Sequence, residues 1–469
     1  MSGSGTGGGG TGGSDTTGTA SPDEVELLDL AQKVAGEAAA GEQVEAFVSR
    51  GSSTTVRVHG GDVESLTQAT SAGIGVRVVR DGREGFAYAG SLDPVVIADV
   101  LAEARDNAAY AEPEDWVGLA EPDGVVPPVV DLWREDLAGL PTDAKVALAL
   151  DLERRVRAGD PRITGVRVAS WGDGSGTGAV ATSTGIAVSG RATHCHLSVQ
   201  ALAADGDETT TGYGVSVGRA PGDVDLDEAA GDAVERAIRL LGAGQPASGT
   251  VTLVLEPRMA AILLSVVAGM LNGESVLKGR SPFAERVGEQ IASPLLTLTD
   301  DPTDPESLGA DSHDGEGLAT RRIPLIEAGV LAGFLHNTAT GRRAGAPSTA
   351  SAVRGFRSTP GVGAQALAVV PGSGTFDELV AGVDHGVIVQ SMTGLHSGVN
   401  PVSGDFSVGI EGLMVRQGAP AEPIREATVA STLQRLLLDI AAVGGEREWT
   451  PGGTGASALV VPGVTLSGK

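Results

Sequence analysis

The sequence predicts an α+β fold: mixed and antiparallel sheets with flanking helices, an N-terminal α+β domain and a strand-rich C-terminal domain. Three observations predict it. Helical patterns bracket groups of strand-like runs in the first half of the chain. Hairpin signals link those runs. From about Gly249 onward, short apolar runs alternate with glycine-rich turns and contain few helical periods. With 469 residues, 41% of them hydrophobic, the chain can bury a large core and should divide into two or three domains. The expected divisions are a Gly/Ser/Thr tail over 1–22, an N-terminal domain over 23–121, a middle domain over 122–245 and a C-terminal domain over 246–469.

The tail has almost nothing to bury and is expected to be disordered. A helix should run from Asp23 to Ala40, with Ser21 or Asp23 able to cap it and leucines at helical spacing. Strands follow at Gln43 to Arg50, Thr54 to His59, Ile74 to Arg80 and Glu84 to Ala89, with Asp81-Gly82 as a hairpin turn. A helix from Pro94 to Tyr110 closes this unit, and the prolines of Pro122 to Pro128 suit a linker. The middle unit reads as a helix from Thr142 to Arg157, then strands near Ile163 to Ser170, Gly178 to Thr182, Gly185 to Val188, Thr193 to Ala203 and Thr209 to Val217, then a helix from Asp227 to Leu241. In the C-terminal unit, Thr252 to Leu255 reads as a strand and Pro257 to Met270 as a helix with proline in its first turn. Further expectations are a strand at Arg322 to Ile326, a helix from His336 to Ala344, an amphipathic helix from Thr428 to Val443 and a buried strand at Ala458 to Val461.

The net charge of −27 argues against nucleic acid or an anionic membrane as partners, because both require cationic patches. No apolar stretch reaches membrane-span length, and the N-terminus lacks the order of a signal peptide. A cytoplasmic location is therefore expected. A single cysteine, Cys195, rules out an internal disulfide and fits a reducing compartment.

The run from Pro257 to Met270 is apolar nearly all round, as in a helix buried on several sides. On its own it reads as a core helix. Beside it stand the segment from Gly398 through Asn400-Pro401 and Ser403-Gly404-Asp405 to Ser407, the hairpin-like Ile326 to Leu331, and the ending Gly455 to Gly463. Together these resemble the TldD/PmbA family of bacterial metallopeptidase proteins, from about Glu24 onward.

The resemblance implies that a TldD-type subunit binds zinc through a His-Glu-x-x-x-His helix, and that a PmbA (TldE) type lacks this motif and forms the other half of a heterodimer. Laid on this helix, the motif puts Ser265 at the first histidine, Val266 at the glutamate and Met270 at the second histidine. A hydroxyl, a valine and a thioether supply neither zinc ligands nor a base for the metal-bound water. Histidines five apart lie about 140° apart on a regular helix, so the active motif needs local distortion, and Gly269 occupies the place before Met270. The family's third ligand, a cysteine near the C-terminus, has no counterpart. The resemblance thus implies a PmbA/TldE-like subunit that binds no metal itself, a TldD-type partner that carries the zinc, and small or unfolded peptides as substrates. It also implies that Asn400, Pro401, Gly404, Asp405 and Phe406 line the substrate channel, with a purely structural turn nearly as good a reading.

Several other residues invite chemistry. Alternation puts His194 and His196 on one sheet face and Cys195 on the other. Two histidines without a third ligand favour exposed or channel-facing side chains over a metal site, and Cys195 reads as a packed thiol. The acidic stretch Asp311 to Gly317 lacks EF-hand spacing and reads as a structural loop. Arg342, Arg343, Arg354 and Arg357 are either surface charges or cations that face a peptide carboxylate or a partner. The alternative to a non-catalytic partner is a stand-alone hydrolase that uses His396 with Asp405, or Cys195.

Overall fold

The computed structural model describes residues 20–469. The predicted tail, 1–22, thus falls mostly outside the described residues, but Ser21 and Pro22 already belong to the first helix. Ser21 caps α1 (Pro22–Ala35) in a reciprocal capping box with Glu24, and Pro22 occupies its first position. The helix ends at Ala35, five residues before the expected Ala40.

The first half of the chain continues with β1 (Glu42–His59), β2 (Asp62–Arg80), β3 (Arg83–Ala89), α2 (Pro94–Tyr110), α3 (Glu135–Ala138), α4 (Thr142–Gly159), β4 (Ile163–Thr182), β5 (Ala187–Asp205), β6 (Glu208–Gly218) and α5 (Leu226–Ile238). The Asp81-Gly82 turn has both residues at positive φ, as a two-residue hairpin requires. Several strands are longer than the sequence suggests. The two expected strands at 43–50 and 54–59 are one strand, because Gly51, Ser52 and Ser53 keep ladder partners on both β2 and β4. The expected strands at 163–170 and 178–182 are likewise joined through a stretch rich in glycine. β2 begins twelve residues earlier than Ile74, since its exposed first half shows no apolar alternation to read.

These strands form one six-stranded sheet, β3-β2-β1-β4-β5-β6. The sheet runs across the expected boundary at 121/122, with β1 antiparallel to β4 from Glu45 opposite Thr182 to Val58 opposite Ala169. Each half repeats the order helix, three antiparallel strands, helix about that central pair. The repeat extends to atomic detail. A methyl group on Gly85 of β3 would lie 2.1 Å from the Ala104 carbonyl oxygen and 2.2 Å from the Ala108 nitrogen of α2. One on Gly212 of β6 would meet Ala233 and Ala237 of α5 at the same two distances. All the covering helices lie on one face: Val44, Ala46 and Val48 pack towards α1 and α2, and Val56, Trp171 and Leu197 towards α4 and α5.

The second half comprises β7 (Gly249–Leu255), α6 (Pro257–Met270), α7 (Gly273–Leu277), β8 (Leu298–Asp300), β9 (Ile323–Glu327), β10 (Val330–Leu331), α8 (Thr338–Ala344), β11 (Ala352–Val353), β12 (Gly361–Val362), β13 (Leu367–Val369), α9 (Phe376–Ala381), β14 (His385–Thr393), α10 (Leu395–Gly398), β15 (Asp405–Arg416), β16 (Ala419–Thr432), α11 (Leu433–Leu438), β17 (Ala442–Trp449) and β18 (Gly455–Ser467). β7 pairs with both β14 and β18, so β18, β16, β15, β14 and β7 close into a ring. Leu263 of α6 and Leu436 of α11 fill its interior against Leu253, Leu255, Val389, Phe406 and Val461. The expected helix from Thr428 to Val443 is corrected here. Thr428 to Thr432 pair with β15, only Leu433–Leu438 is helical, and Ala442 opens another strand. The β-branched Thr428, Val429 and Thr432 fit a sheet better than a helix.

The second half docks on the helix-free face of the six-stranded sheet through buried charges. Arg77 of β2 lies directly opposite Glu45 of β1. Its guanidinium donates to both Glu45 oxygens at 3.1 and 2.8 Å, and it pairs with Glu316 at 3.5 Å and Glu84 at 3.3 Å. Arg354 reaches the same Glu45 from the second half. The side chains of Glu45, Glu316 and Arg354 are wholly buried. Desolvation alone would raise the Glu45 carboxyl, but the two arginines hold it below the usual carboxylate range. Phe356 lies over Gly73 and Gly75, where any side chain would collide with it.

Removing one member of such a cluster strands the others in a low-dielectric interior. Arg77→Met is therefore expected to destabilise the fold by about 3–5 kcal/mol, measured as the shift of the urea midpoint at constant slope. A loss below about 1 kcal/mol would mean that water or a rearranged neighbour satisfies Glu45 and Glu316.

Candidate functional site

α6 follows β7 without a side-chain cap, and Pro257 occupies its first turn. One side of it supplies Met259, Leu263, Leu264, Val267 and Met270 to the core. The opposite stripe, Arg258, Ile262, Ser265, Val266 and Gly269, is half-buried or exposed. Ser265 turns its hydroxyl back to the Ala261 carbonyl at 2.8 Å and lies 3.2 Å from the Thr454 hydroxyl. Val266 packs its flank against the core, and Met270 is 1% exposed and faces inward. The helix remains regular through Gly269. Ser265 and Met270 thus point to different surroundings, and the hydroxyl, aliphatic and thioether groups do not fit the donor set that zinc requires. Among the described residues, no three of His, Cys, Asp and Glu gather closely enough to hold a metal ion. Thr454, 189 residues away from Ser265, is a neighbour that sequence reasoning missed. Its only signal is its place in Gly452-Gly453-Thr454-Gly455, just before the final strand.

The turn from Gly398 to Ser407 is tied to itself and to α11. The Asn400 side chain accepts from the Val402 and Ser403 amides, the Gly404 amide donates to the Asn400 carbonyl, and Gln434 donates to the Ser403 carbonyl. Gly404 sits at positive φ, and a Cβ there would lie 2.1 Å from the Gln434 oxygen. Asn400, Pro401 and Asp405 are exposed. Phe406 is not: it turns into the barrel core, where it cannot line a channel. Asp405 accepts a hydrogen bond from Ser403, and no hydrogen bond among the described residues joins it to His396.

Cys195 faces the helix-covered side of the sheet, where its thiol donates to the Ala220 carbonyl at 3.3 Å. Burial, helped by Asp223 and Asp173, pushes this thiol up to about 12. It is a packed group, not an activated nucleophile. His194 and His196 lie on the opposite face, each ring resting on a glycine of β4. A Cβ on Gly174 would come within 2.4 Å of His194, and one on Gly172 within 2.2 Å of His196. Desolvation lowers the pKa of both imidazoles, and each histidine is therefore mainly neutral at pH 7. Beside them, the Ser170 and Ser198 hydroxyls are 2.8 Å apart. Of the four arginines singled out in the sequence, Arg354 is spent on Glu45, Arg342 donates to the Leu119 carbonyl, Arg343 lies over Trp116 and Arg357 over Phe356.

The acidic loop from Asp311 to Gly317 is structural. Asp314 accepts from the Glu316 and Leu318 amides on one oxygen and from Ala352 on the other, and Glu316 reaches the Arg77 cluster. Burial and the nearby Glu316 push Asp314 up to about 7.

Family models cover most of the chain in three consecutive pieces: PmbA/TldA metallopeptidase domain 1 over 44–108, the central domain over 135–241 and the C-terminal domain over 248–468. The chain belongs to the PmbA/TldD family. It is 25% identical to the metalloprotease PmbA of Escherichia coli O157:H7, over 95% of this chain and 97% of that protein. It is 26% identical to a metalloprotease TldD homolog of Haemophilus influenzae, over 84% of this chain and 86% of that one. Its fold matches the crystal structure of TldE from Thermococcus kodakarensis with a TM-score of 0.86, at 22% identity and over 95% and 99% of the two chains. Within this family the α+β architecture is thus shared along nearly the whole length.

A thiol with so high a pKa and no exposed surface should resist modification. Cys195 is expected to react with a disulfide reagent at pH 7.5 at least 100-fold more slowly than free cysteine, and at the normal rate in denaturant. Fast reaction of the native protein would contradict a packed role.

Proposed function

We propose that this chain is the zinc-free, PmbA/TldE-like half of a heterodimeric metallopeptidase in the cytoplasm. Its TldD-type partner carries the zinc, and this chain shapes the channel that admits small or unfolded peptides. The observation that carries this reading is α6. The resemblance lays the family's zinc motif on this helix, which carries Ser265, Val266 and Met270 at the motif's positions. Hydrolysis of an amide at neutral pH needs an activated water or nucleophile, and these three residues provide neither. The full-length similarity to both PmbA-named and TldD-named metalloproteases supports a scaffold common to two kinds of subunit. A stand-alone hydrolase draws no support from the geometry, since the Cys195 thiol is buried and high in pKa and His396 is not bonded to Asp405.

The chain purified alone is expected to retain less than about 0.1 zinc per molecule and to leave casein and short peptides intact. Mixed with a TldD-type subunit, it should form a 1:1 complex with chelator-sensitive cleavage. Stoichiometric zinc on the isolated chain, with proteolysis abolished by chelator, would overturn the proposal.

A further inference from the structure

The junction between α5, β6 and α6 holds three arginines, and two of them are committed. Arg236 pairs with Asp232 at 2.6 Å and with Glu256 at 3.5 Å. Arg239 pairs with Glu256 and bonds Gln390. Arg258, the second residue of α6, makes no ion pair or hydrogen bond among the described residues. Instead the central carbon of its guanidinium lies over the Tyr213 ring, 4.0 Å from the centroid. A cation–π contact occupies one face of a guanidinium and leaves its N–H edges unspent. Those edges match a carboxylate in two-point geometry.

The surroundings of Arg258 suit an extended peptide. Tyr213 lies opposite Gln200 of β5, on the sheet face that carries no helices. Along β5 the same face presents Ser198, His196 and His194, and it opens into a groove of about 330 Å³ lined by Gly51, Ser53, Gly174, Gly176, Ala192 and His194. On α6, Arg258 shares its free stripe with Ile262, Ser265 and Gly269. Arg258 therefore stands where the open sheet face meets the free side of the ligand-poor helix. The charged groups that act on it most are Arg236, Glu256 and Asp232; these two carboxylates are paired with Arg236 and Arg239, and Glu448 belongs to the same group, near Arg236. Desolvation followed by repulsion from Arg236 lowers its pKa despite the nearby ring and carboxylates, so a bound anion would relieve both penalties.

We propose that Arg258, held in place by Tyr213, is the point at which this chain recognises a carboxylate of an extended peptide. This rests on the reading of the chain as a channel-forming peptidase subunit. The carboxylate comes either from the peptide's C-terminus or from an acidic side chain near it, and the chemistry of recognition is the same.

Calorimetry on the isolated full-length chain separates the sources, with one unstructured hexapeptide in three forms: free C-terminal acid, C-terminal amide, and amide with glutamate at the penultimate position. A C-terminal site predicts binding of the acid about tenfold tighter than either amide, and an acidic side-chain site predicts that the glutamate restores the affinity. Arg258→Met should abolish the preference with an unchanged thermal midpoint, and Arg258→Lys should keep part of it. Equal affinity for all three forms, no binding of any form, or a preference that survives Arg258→Met would overturn the proposal. Reconstituted cleavage tells this failure from that of the subunit reading. A complex that cleaves acid and amide peptides with the same KM removes the carboxylate site and leaves the subunit role standing. A mixture that never cleaves, beside an isolated chain that still prefers the acid, does the reverse.

Discussion

The arrangement of this molecule depends on the buried charges at Glu45. Burying a carboxylate costs several kcal/mol, and Glu45 recovers that cost only because Arg77 approaches from the neighbouring strand and Arg354 from the second half of the chain. Neither half can satisfy the cluster by itself. Glu316 extends the same network, and its other oxygen accepts the Thr338 amide at the start of α8. The pairing therefore ties a loop, a helix start and the central sheet together, and it specifies one docking position where an apolar contact would tolerate sliding. Glycines complete the fit: the Phe356 ring lies over Gly73 and its carbonyl over Gly75, so the second half approaches the backbone of β2 where no side chain intervenes.

Much of this was legible in the sequence, and the failures have physical causes. α2 and α6 match their expected ranges, because proline marks each start and apolar residues recur at helical spacing until each end. The face assignment of His194, Cys195 and His196 followed from strand alternation alone. Strand continuity was not legible, because Gly51 to Ser53 and the glycines of β4 look like breaks until partners on both sides supply their hydrogen bonds. The helix expected at Thr428 to Val443 arose from leucines that do form one turn and a half, flanked by strands whose β-branched residues were overridden in the reading. The repeat within the first half left no sequence trace except the small residues at its closest contacts, Gly85 with Ala104 and Ala108, and Gly212 with Ala233 and Ala237.

The candidate site divides along the same line. The chemistry of Ser265, Val266 and Met270 is legible from residue identity alone: a hydroxyl, an aliphatic group and a thioether are not the usual donor set of a zinc site. Placement is set by the fold: Thr454 lies beside Ser265, Phe406 inside the barrel, and Arg354 is spent on Glu45. Arg258 was invisible in the sequence, because its significance lies in what it lacks, and an unspent guanidinium is apparent only once its neighbours have been paired off.

The place of α6 in the fold is explained by packing. Leu263, Leu264, Val267 and Met270 belong to the main core, and Leu263 reaches the interior of the closed ring of strands. Deleting or unwinding the helix would open that interior, at a cost of several kcal/mol for each large side chain withdrawn. Residue choice along the helix follows burial. At 270, facing inward, a thioether packs flexibly and carries no polar atom that needs a partner, whereas a histidine there would need one. At 265, at the surface, a serine satisfies itself on the Ala261 carbonyl. The helix is thus the keystone of a core, and its outward stripe, Arg258, Ser265 and Gly269, is not taken up by that packing.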